Sequence, residues 1–370
     1  MEQINIFLAE RQKLCIPYKF NQKTINRMLS DREIEKIVDT VEMQIEELFL
    51  IRNPKYRFKG TKNELMDFKE EITQNKPIKE YGNWFVFPDD KLIVHYLPEE
   101  IHQEIRTARN RNLITKTEQD KFYNFSVGIA GLSIGSHAAY TLSMMGGGKV
   151  LKLADPDTLS ASNLNRVRYD FTQVGENKTL LSAKGILKIN PYTDIYLFSK
   201  GINDTNIVEF LLGPPKIDVL IEEVDDIRLK FELRFLAKKY KIPVVMATDN
   251  GDNVIVDVER FDLNNNIDIF NGLVGEITRE SLDDIPDDVL NALIGNIVGV
   301  DYATNRVLQS LVEVGKTLYS WPQLGDAANL SGSVIVYLIK TLALNQPLKS
   351  GKYAINLDKV FKLGDSLNNK

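Results

Sequence analysis

Ser126-Val-Gly-Ile-Ala-Gly-Leu-Ser-Ile-Gly-Ser136 runs a short apolar stretch directly into a turn of glycines and serines. The pattern predicts a buried strand, a tight turn, and a helix from His137 to Met145. A second apolar run, Val150 to Ala154, ends at Asp155, twenty residues past Gly135. Strand, small-residue turn, helix and acid-tipped strand at this spacing make a βαβ nucleotide-binding unit. The turn aims a helix N-terminus at phosphate, and the acid accepts hydrogen bonds from ribose hydroxyls.

Outward from this unit, apolar strands continue at 195–198, 219–222 and 244–247, with helical patterns near 178–189, 204–212 and 227–240. The alternation predicts an α/β fold, a Rossmann-like, doubly wound and mostly parallel sheet with helices on both faces. Asn250-Gly251 predicts a hairpin turn, with Val254 to Val258 returning antiparallel. Residues 265–370 read as helices and loops ending in a short strand at 353–357. Residues 1–118 read as an α+β preface. There Ser30, with Glu33 three residues on, predicts the start of a helix running to Leu50. A hairpin is expected from 84–87 and 92–96, and Pro98 opens a basic helix through Arg106, Arg109 and Arg111. The expected division is 1–118 for the preface and 119–370 for the nucleotide-binding part with its helical C-terminal region.

Composition narrows the chemistry. Across 370 residues the formal net charge is −5, so no basic field argues for nucleic acid or an anionic membrane. The greasiest stretch, Val334 to Leu344, is broken by Tyr337, Lys340 and Thr341, too short for a membrane span. The N-terminus lacks the basic start and apolar block of a signal peptide, and a cytoplasmic protein is expected. Cys15 is the only cysteine, so there is neither a disulfide framework nor a Cys-x-x-Cys zinc clip. His95, His102 and His137 have no metal-pair spacing and read as surface or packing residues. Gly146-Gly-Gly-Lys149 is followed by Val150 rather than the Ser or Thr of a phosphate loop, and reads as a helix end. Asp249, Asp252 and Asp257 lack calcium-loop spacing and read as hairpin residues.

Three further segments sharpen the reading: Asp155-Pro-Asp-Thr-Leu-Ser-Ala-Ser-Asn163-Leu-Asn-Arg166, then Val174-Gly-Glu-Asn-Lys178, then Val219-Leu-Ile-Glu-Glu-Val-Asp225-Asp226. In this order, and with these strand-end positions, residues 106–260 resemble the ThiF/MoeB/E1 superfamily of adenylating enzymes. The resemblance implies ATP and Mg2+ as cofactors. Gly131, Ser133, Gly135 and Ser136 would form the phosphate turn, and Asp155 would hold the ribose. Asn163 and Arg166 match the family's Asn-Leu-x-Arg, which contacts the triphosphate, and Lys178 matches a neutralising lysine. Asp225 matches the aspartate associated with magnesium, while Asp226 caps the next helix. Arg106-Thr-Ala-Arg109-Asn110 is similar to an element whose arginine, in homodimeric members, enters the neighbouring subunit's site. Trp321-Pro-Gln-Leu-Gly and helix 327–344 resemble the segment after the family's crossover loop.

The chain also departs from the pattern. Serines replace two glycines of the turn, Val167 replaces a glutamine, and Asn177 a proline. The zinc cysteines and any downstream cysteine are absent, which resembles a bacterial subgroup outside the thioester-forming branch. The implied activity is ATP-dependent adenylation of a carboxylate. Its substrate would be the C-terminus of a small ubiquitin-like or carrier protein, or a peptide, bound by a homodimer. An NAD- or FAD-binding oxidoreductase and a non-catalytic scaffold of the same fold are the alternatives.

Overall fold

The computed structural model describes residues 13–58 and 62–362. Two sheets organise them. The smaller one joins β1 (Ile16–Tyr18), β2 (Lys36–Asp39), β3 (Asn83–Phe87) and β4 (Leu92–Tyr96) in the order β1-β3-β4-β2. The expected hairpin is β3–β4, antiparallel with Asn83 opposite Tyr96. Helices α1 (Gln22–Ser30), α2 (Val41–Arg52) and α3 (Lys62–Thr73) belong to this part of the chain.

The expected helix from Ser30 to Leu50 forms only over its second half, as α2. Asp31 instead caps the C-terminus of α1, and β2 intervenes before α2. The physical reason is pairing at long sequence distance: Lys36 to Asp39 lie parallel to Leu92 to His95. Ladder bonds of that kind leave no trace in local periodicity. The basic helix is likewise shorter than expected: α4 (Glu99–Arg106) ends at Arg106, and a single 3-10 turn follows over Ala108–Asn110. Next comes α5 (Lys116–Tyr123), opened by a capping box between Thr115 and Glu118.

The larger sheet has seven strands in the order β11-β10-β9-β8-β5-β6-β7. They are β5 (Val127–Ala130), β6 (Val150–Ala154), β7 (Asp194–Phe198), β8 (Val219–Glu222), β9 (Val244–Asn250), β10 (Asn253–Glu259) and β11 (Gly351–Ile355). The first five are parallel, and β9–β10 is the antiparallel hairpin expected at Asn250-Gly251. The connecting helices are α6 (Ile134–Met144), α7 (Lys178–Ile189), α8 (Ile207–Leu212) and α9 (Ile227–Tyr240). Short helical turns fill 279–311, and the long α10 (Gly325–Ala343) precedes β11.

Side chains alternate between two cores, as strands covered on both faces require. Val127, Ile129, Ile221 and Val245 pack with Leu142 of α6 and with Ile335 and Ile339 of α10. Ala130, Leu220, Val244 and Met246 pack with Phe210 of α8 and Phe231 of α9 on the other face. A buried ion network ties this second face together: Arg234 bonds Glu222 and Glu259, and its guanidinium lies 3.9 Å from the Phe270 ring centre. Strand order reverses between β5 and β8. In doubly wound sheets that reversal opens a crevice at the carboxyl ends of the strands. Among the described residues, no helix is long and apolar enough to cross a membrane.

Candidate functional site

The crevice is built from the turn after β5. Gly131 takes φ +90°, and a Cβ there would stand 2.2 Å from the Glu223 carbonyl oxygen. Glycine therefore serves two ends here, a backbone conformation that L side chains avoid and close passage of the β8 tail. Helix α6 begins at Ile134, three residues before the expected His137, with Ser133 at its N-cap position. Gly135 and Ser136 thus lie within its first turn, where main-chain N–H groups have no intrahelical acceptor and face outward along the axis. The Ser136 hydroxyl turns back to the Ser133 carbonyl at 2.8 Å.

Asp155, at the tip of β6, braces this turn. Its Oδ2 accepts the Leu132 N–H at 2.7 Å and its Oδ1 accepts the Asp157 N–H at 2.8 Å. Burial raises its carboxyl above the usual range, opposed by Lys178 3.7 Å away and by the two amides. Lys178 is the first residue of α7, placed there by the Asn177 N-cap. Its ammonium bonds Asp157 at 2.9 Å, so it reaches Asp155 and a second, mostly exposed carboxylate together.

Arg166 crosses from the loop after β6. Its Nε donates to the Ser133 hydroxyl at 3.3 Å, and Nη1 donates to Asn165 Oδ1 at 2.9 Å and the Ser162 carbonyl at 3.2 Å. Burial lowers its pKa from the ordinary value, while Asp249 and Asp225 oppose that shift. Asp225 is exposed past the end of β8 and has no hydrogen bond or ion pair among the described residues. Asp226 caps α9, accepting the Leu229 N–H at 3.0 Å. Asn163 closes a capping box in which its Oδ1 accepts the Ser160 N–H at 3.1 Å.

One candidate lies elsewhere. Arg109 is exposed beside the C-terminal end of α6, where its neighbours Arg106 and Asn110 bond the Ser143 and Met145 carbonyls. The turn is at the opposite end of that helix, about 16 Å away for eleven residues at 1.5 Å each. Within one chain, Arg109 is not part of the crevice.

Sequence reasoning missed three neighbours. His137 takes the packing alternative and not the surface one, and its bond was not foreseen: it is buried, its Nε2 lies 2.5 Å from the Arg166 carbonyl oxygen, and burial lowers its pKa. Asp249 sits in the β9–β10 hairpin as expected, opposite Val254, but its side chain does not serve the turn. Its Oδ1 accepts the Ser331 hydroxyl at 2.9 Å and its Oδ2 the Gln323 amide at 3.4 Å, so the carboxylate is turned toward α10. Burial pushes it up to about 6. Glu223 accepts the Ala247 N–H at 2.7 Å beside it, and burial raises its carboxyl as well. Position at the carboxyl ends of β8 and β9 was the available signal for both acids. Asp257, by contrast, pairs with Lys352 on β11 at 2.7 Å, away from the crevice.

A metal could be held here by Asp225 together with phosphate oxygens. Among the described residues no group of three or more His, Cys, Asp or Glu forms a protein cage for one. A single carboxylate plus nucleotide oxygens is the pattern magnesium uses, since it keeps its waters and is bound through phosphates.

Comparison with known proteins falls on the same segment. Residues 107–256 match the ThiF family. The uncharacterized protein MT1398 of Mycobacterium tuberculosis is 35% identical over 282 residues, covering 76% of this chain and 38% of that protein. A probable molybdopterin-synthase adenylyltransferase of Porphyra purpurea is 32% identical over 101 residues, covering 27% of this chain and 25% of that protein. The solved structure of E. coli tRNA N6-threonylcarbamoyladenosine dehydratase, TcdA, in complex with AMP aligns at 18% identity and TM-score 0.47. It covers 65% of this chain and 95% of that one. The chain spans less than two fifths of the length of these two curated relatives.

Proposed function

Because the chain belongs to the ThiF/MoeB/E1-like superfamily, we propose that it activates a carboxylate with ATP and Mg2+, joining it to AMP and releasing pyrophosphate. The reaction sets an anionic nucleophile against an anionic phosphate, and the leaving group carries away more charge. A site for it must supply cations already in position, and few covalent steps of its own. Arg166 meets the turn at Ser133, and Lys178 meets it through Asp155. Both stand at the carboxyl edge of the sheet, beside the N-terminus of α6.

The roles follow from these positions. Gly131, Ser133, Gly135 and Ser136 present main-chain N–H groups to phosphate. Asp155 fixes the turn and offers its remaining lone pairs to ribose, and Asn163 shapes the loop that carries Arg166. Arg166 and Lys178 offset charge on the phosphates. Asp225 would hold magnesium, whose charge when bound offsets that of the departing pyrophosphate. The substrate is the C-terminus of a small ubiquitin-like or carrier protein, or a peptide, and not nucleic acid or membrane. The protein works in the cytoplasm as a homodimer, with Arg109 acting in the partner's crevice. Its exposure and distance from its own turn suit that role.

The single observation that carries this reading is the Arg166–Ser133 contact, a cation fixed at a helix N-terminal turn. A hydride-transfer site has no need of that cation. ATP–pyrophosphate exchange with a panel of carboxylates, including peptides ending in Gly-Gly, tests it. Exchange lowered about 100-fold or more by Arg166→Ala supports adenylation. Wild-type silence with tight NADH binding overturns it.

A further inference from the structure

Asp249 is held at the crevice by groups that orient it without neutralising it. The Ser331 hydroxyl fixes Oδ1 and the Gln323 amide fixes Oδ2 more loosely. The charged groups facing it are Arg166 from the loop after β6, Glu223 from the end of β8 and Asp326 from the start of α10. It makes no ion pair at bonding distance among the described residues, although Arg166 lies within its field. The adenylation chemistry above assigns it no task. The chain's one cysteine, Cys15, is buried with Phe85 and Tyr96 of the smaller sheet, so no thiol of this chain stands at the crevice to receive an acyl group.

We propose that Asp249 is the general base of a second half-reaction, in which an amine-bearing acceptor takes the acyl group from the adenylate within the same crevice. This inference rests on the adenylation reading. An amine arrives at neutral pH largely as ammonium, and a fixed carboxylate attracts it, takes one proton and releases it to water, which leaves the carboxylate free for the next. The nitrogen lone pair then forms a C–N bond at the acyl carbon. The bond from that carbon to the phosphate oxygen breaks, and AMP leaves with the electron pair. The nitrogen's proton passes to the Asp249 carboxylate and from there to water. The orienting Ser331–Asp249 bond follows the usual arrangement of a base held by a further group. Burial places the carboxyl closer to neutrality than an ordinary aspartate, which suits a base working near pH 7.

The test compares three rates in one preparation with ATP, Mg2+ and a carboxylate active in exchange. They are ATP–pyrophosphate exchange, amide formation with glycinamide, and trapping by hydroxylamine, a nucleophile already unprotonated at neutral pH. In Asp249→Asn the ratio of glycinamide transfer to exchange is expected to fall ~100-fold, while the ratio of hydroxylamine trapping to exchange holds. Asp249→Glu should restore part of the glycinamide rate. Ser331→Ala removes a bond to the charged form, so the acidic limb of the transfer profile should move to higher pH. Equal loss of all three rates in Asp249→Asn, or glycinamide transfer that keeps pace with exchange, overturns the proposal while leaving adenylation standing. Wild-type silence in exchange removes both.

Discussion

The imidazole of His137 and the main-chain oxygen of Arg166 are joined by a 2.5 Å hydrogen bond, with Nε2 donating to the carbonyl. The other ring nitrogen, Nδ1, is buried and makes no hydrogen bond at bonding distance among the described residues, as a neutral imidazole with its proton on Nε2 would leave it. A residue in the first turns of α6 thereby holds the loop whose guanidinium returns to that helix's own N-cap serine. Gly332 of α10 makes room: a Cβ there would lie 2.4 Å from the His137 Cβ. Turn, cation loop and C-terminal helix form one mechanical unit.

That unit predicts coupling. Arg166→Ala should lower exchange by about 100- to 1000-fold, the range for removing one preorganised charge-stabilising donor. His137→Ala should cost about tenfold by loosening the loop. In a double-mutant cycle the His137 effect should largely vanish once Arg166 is gone. Full additivity in the measured exchange rates would show that the two act separately.

Gly131→Ala should cost more stability than any surface change. It combines a positive φ of 90° with a Cβ 2.2 Å from a main-chain oxygen that cannot swing aside. A loss of about 3 kcal/mol or more in urea unfolding is expected, with ATP binding lost in whatever fraction still folds. A near-neutral result would mean that the β8 tail moves freely.

Asp249 sets a pH signature. Its carboxyl is raised to about 6 in the folded chain against 3.8 for the free side chain, so the folded state binds more protons between those values. Stability therefore declines as pH rises through roughly 4 to 6. Asp249→Asn removes that term, and should gain about 1–3 kcal/mol on wild type between pH 4 and pH 7. Urea midpoints for both proteins at the two pH values check this.

Arg234→Met isolates two buried carboxylates. Arg234 bonds both Glu222 and Glu259 with no exposed surface on any of the three side chains beyond 1%. Removing one member of such a network leaves uncompensated charge and costs about 3–5 kcal/mol. The deficit should shrink on acidification as the glutamates take up protons. A change within 1 kcal/mol at pH 7 would show that Lys230, 2.9 Å from Glu222, suffices as partner.

Much of this was readable from one chain of letters. Strands covered on both faces are written as nearly continuous apolar runs, so β5, and β6 and β8 with one charged residue each, stand out without context. The Gly131 turn and the acid at Asp155 announce themselves by spacing. Other features do not. The strand Lys36–Asp39 hides inside an amphipathic stretch because its partner is Leu92 to His95, more than fifty residues on. The start of α6 was misplaced by three residues because small residues fit a helix's first turn as well as a loop.

By itself, then, the order of residues determined the sheet's central strands, the small-residue turn and the type of charge stationed at each strand end, since these depend on local periodicity and backbone sterics. Only the tertiary structure decided that His137 grips the Arg166 loop, that Asp249 turns to Ser331 and Gln323 rather than to its own hairpin, and that Arg109 stands about a helix length from its own crevice. Those relations arise where α6 and α10 pack together over the sheet. Contacts between residues 29 to 82 positions apart are fixed by burial and close packing, which no short window of sequence encodes.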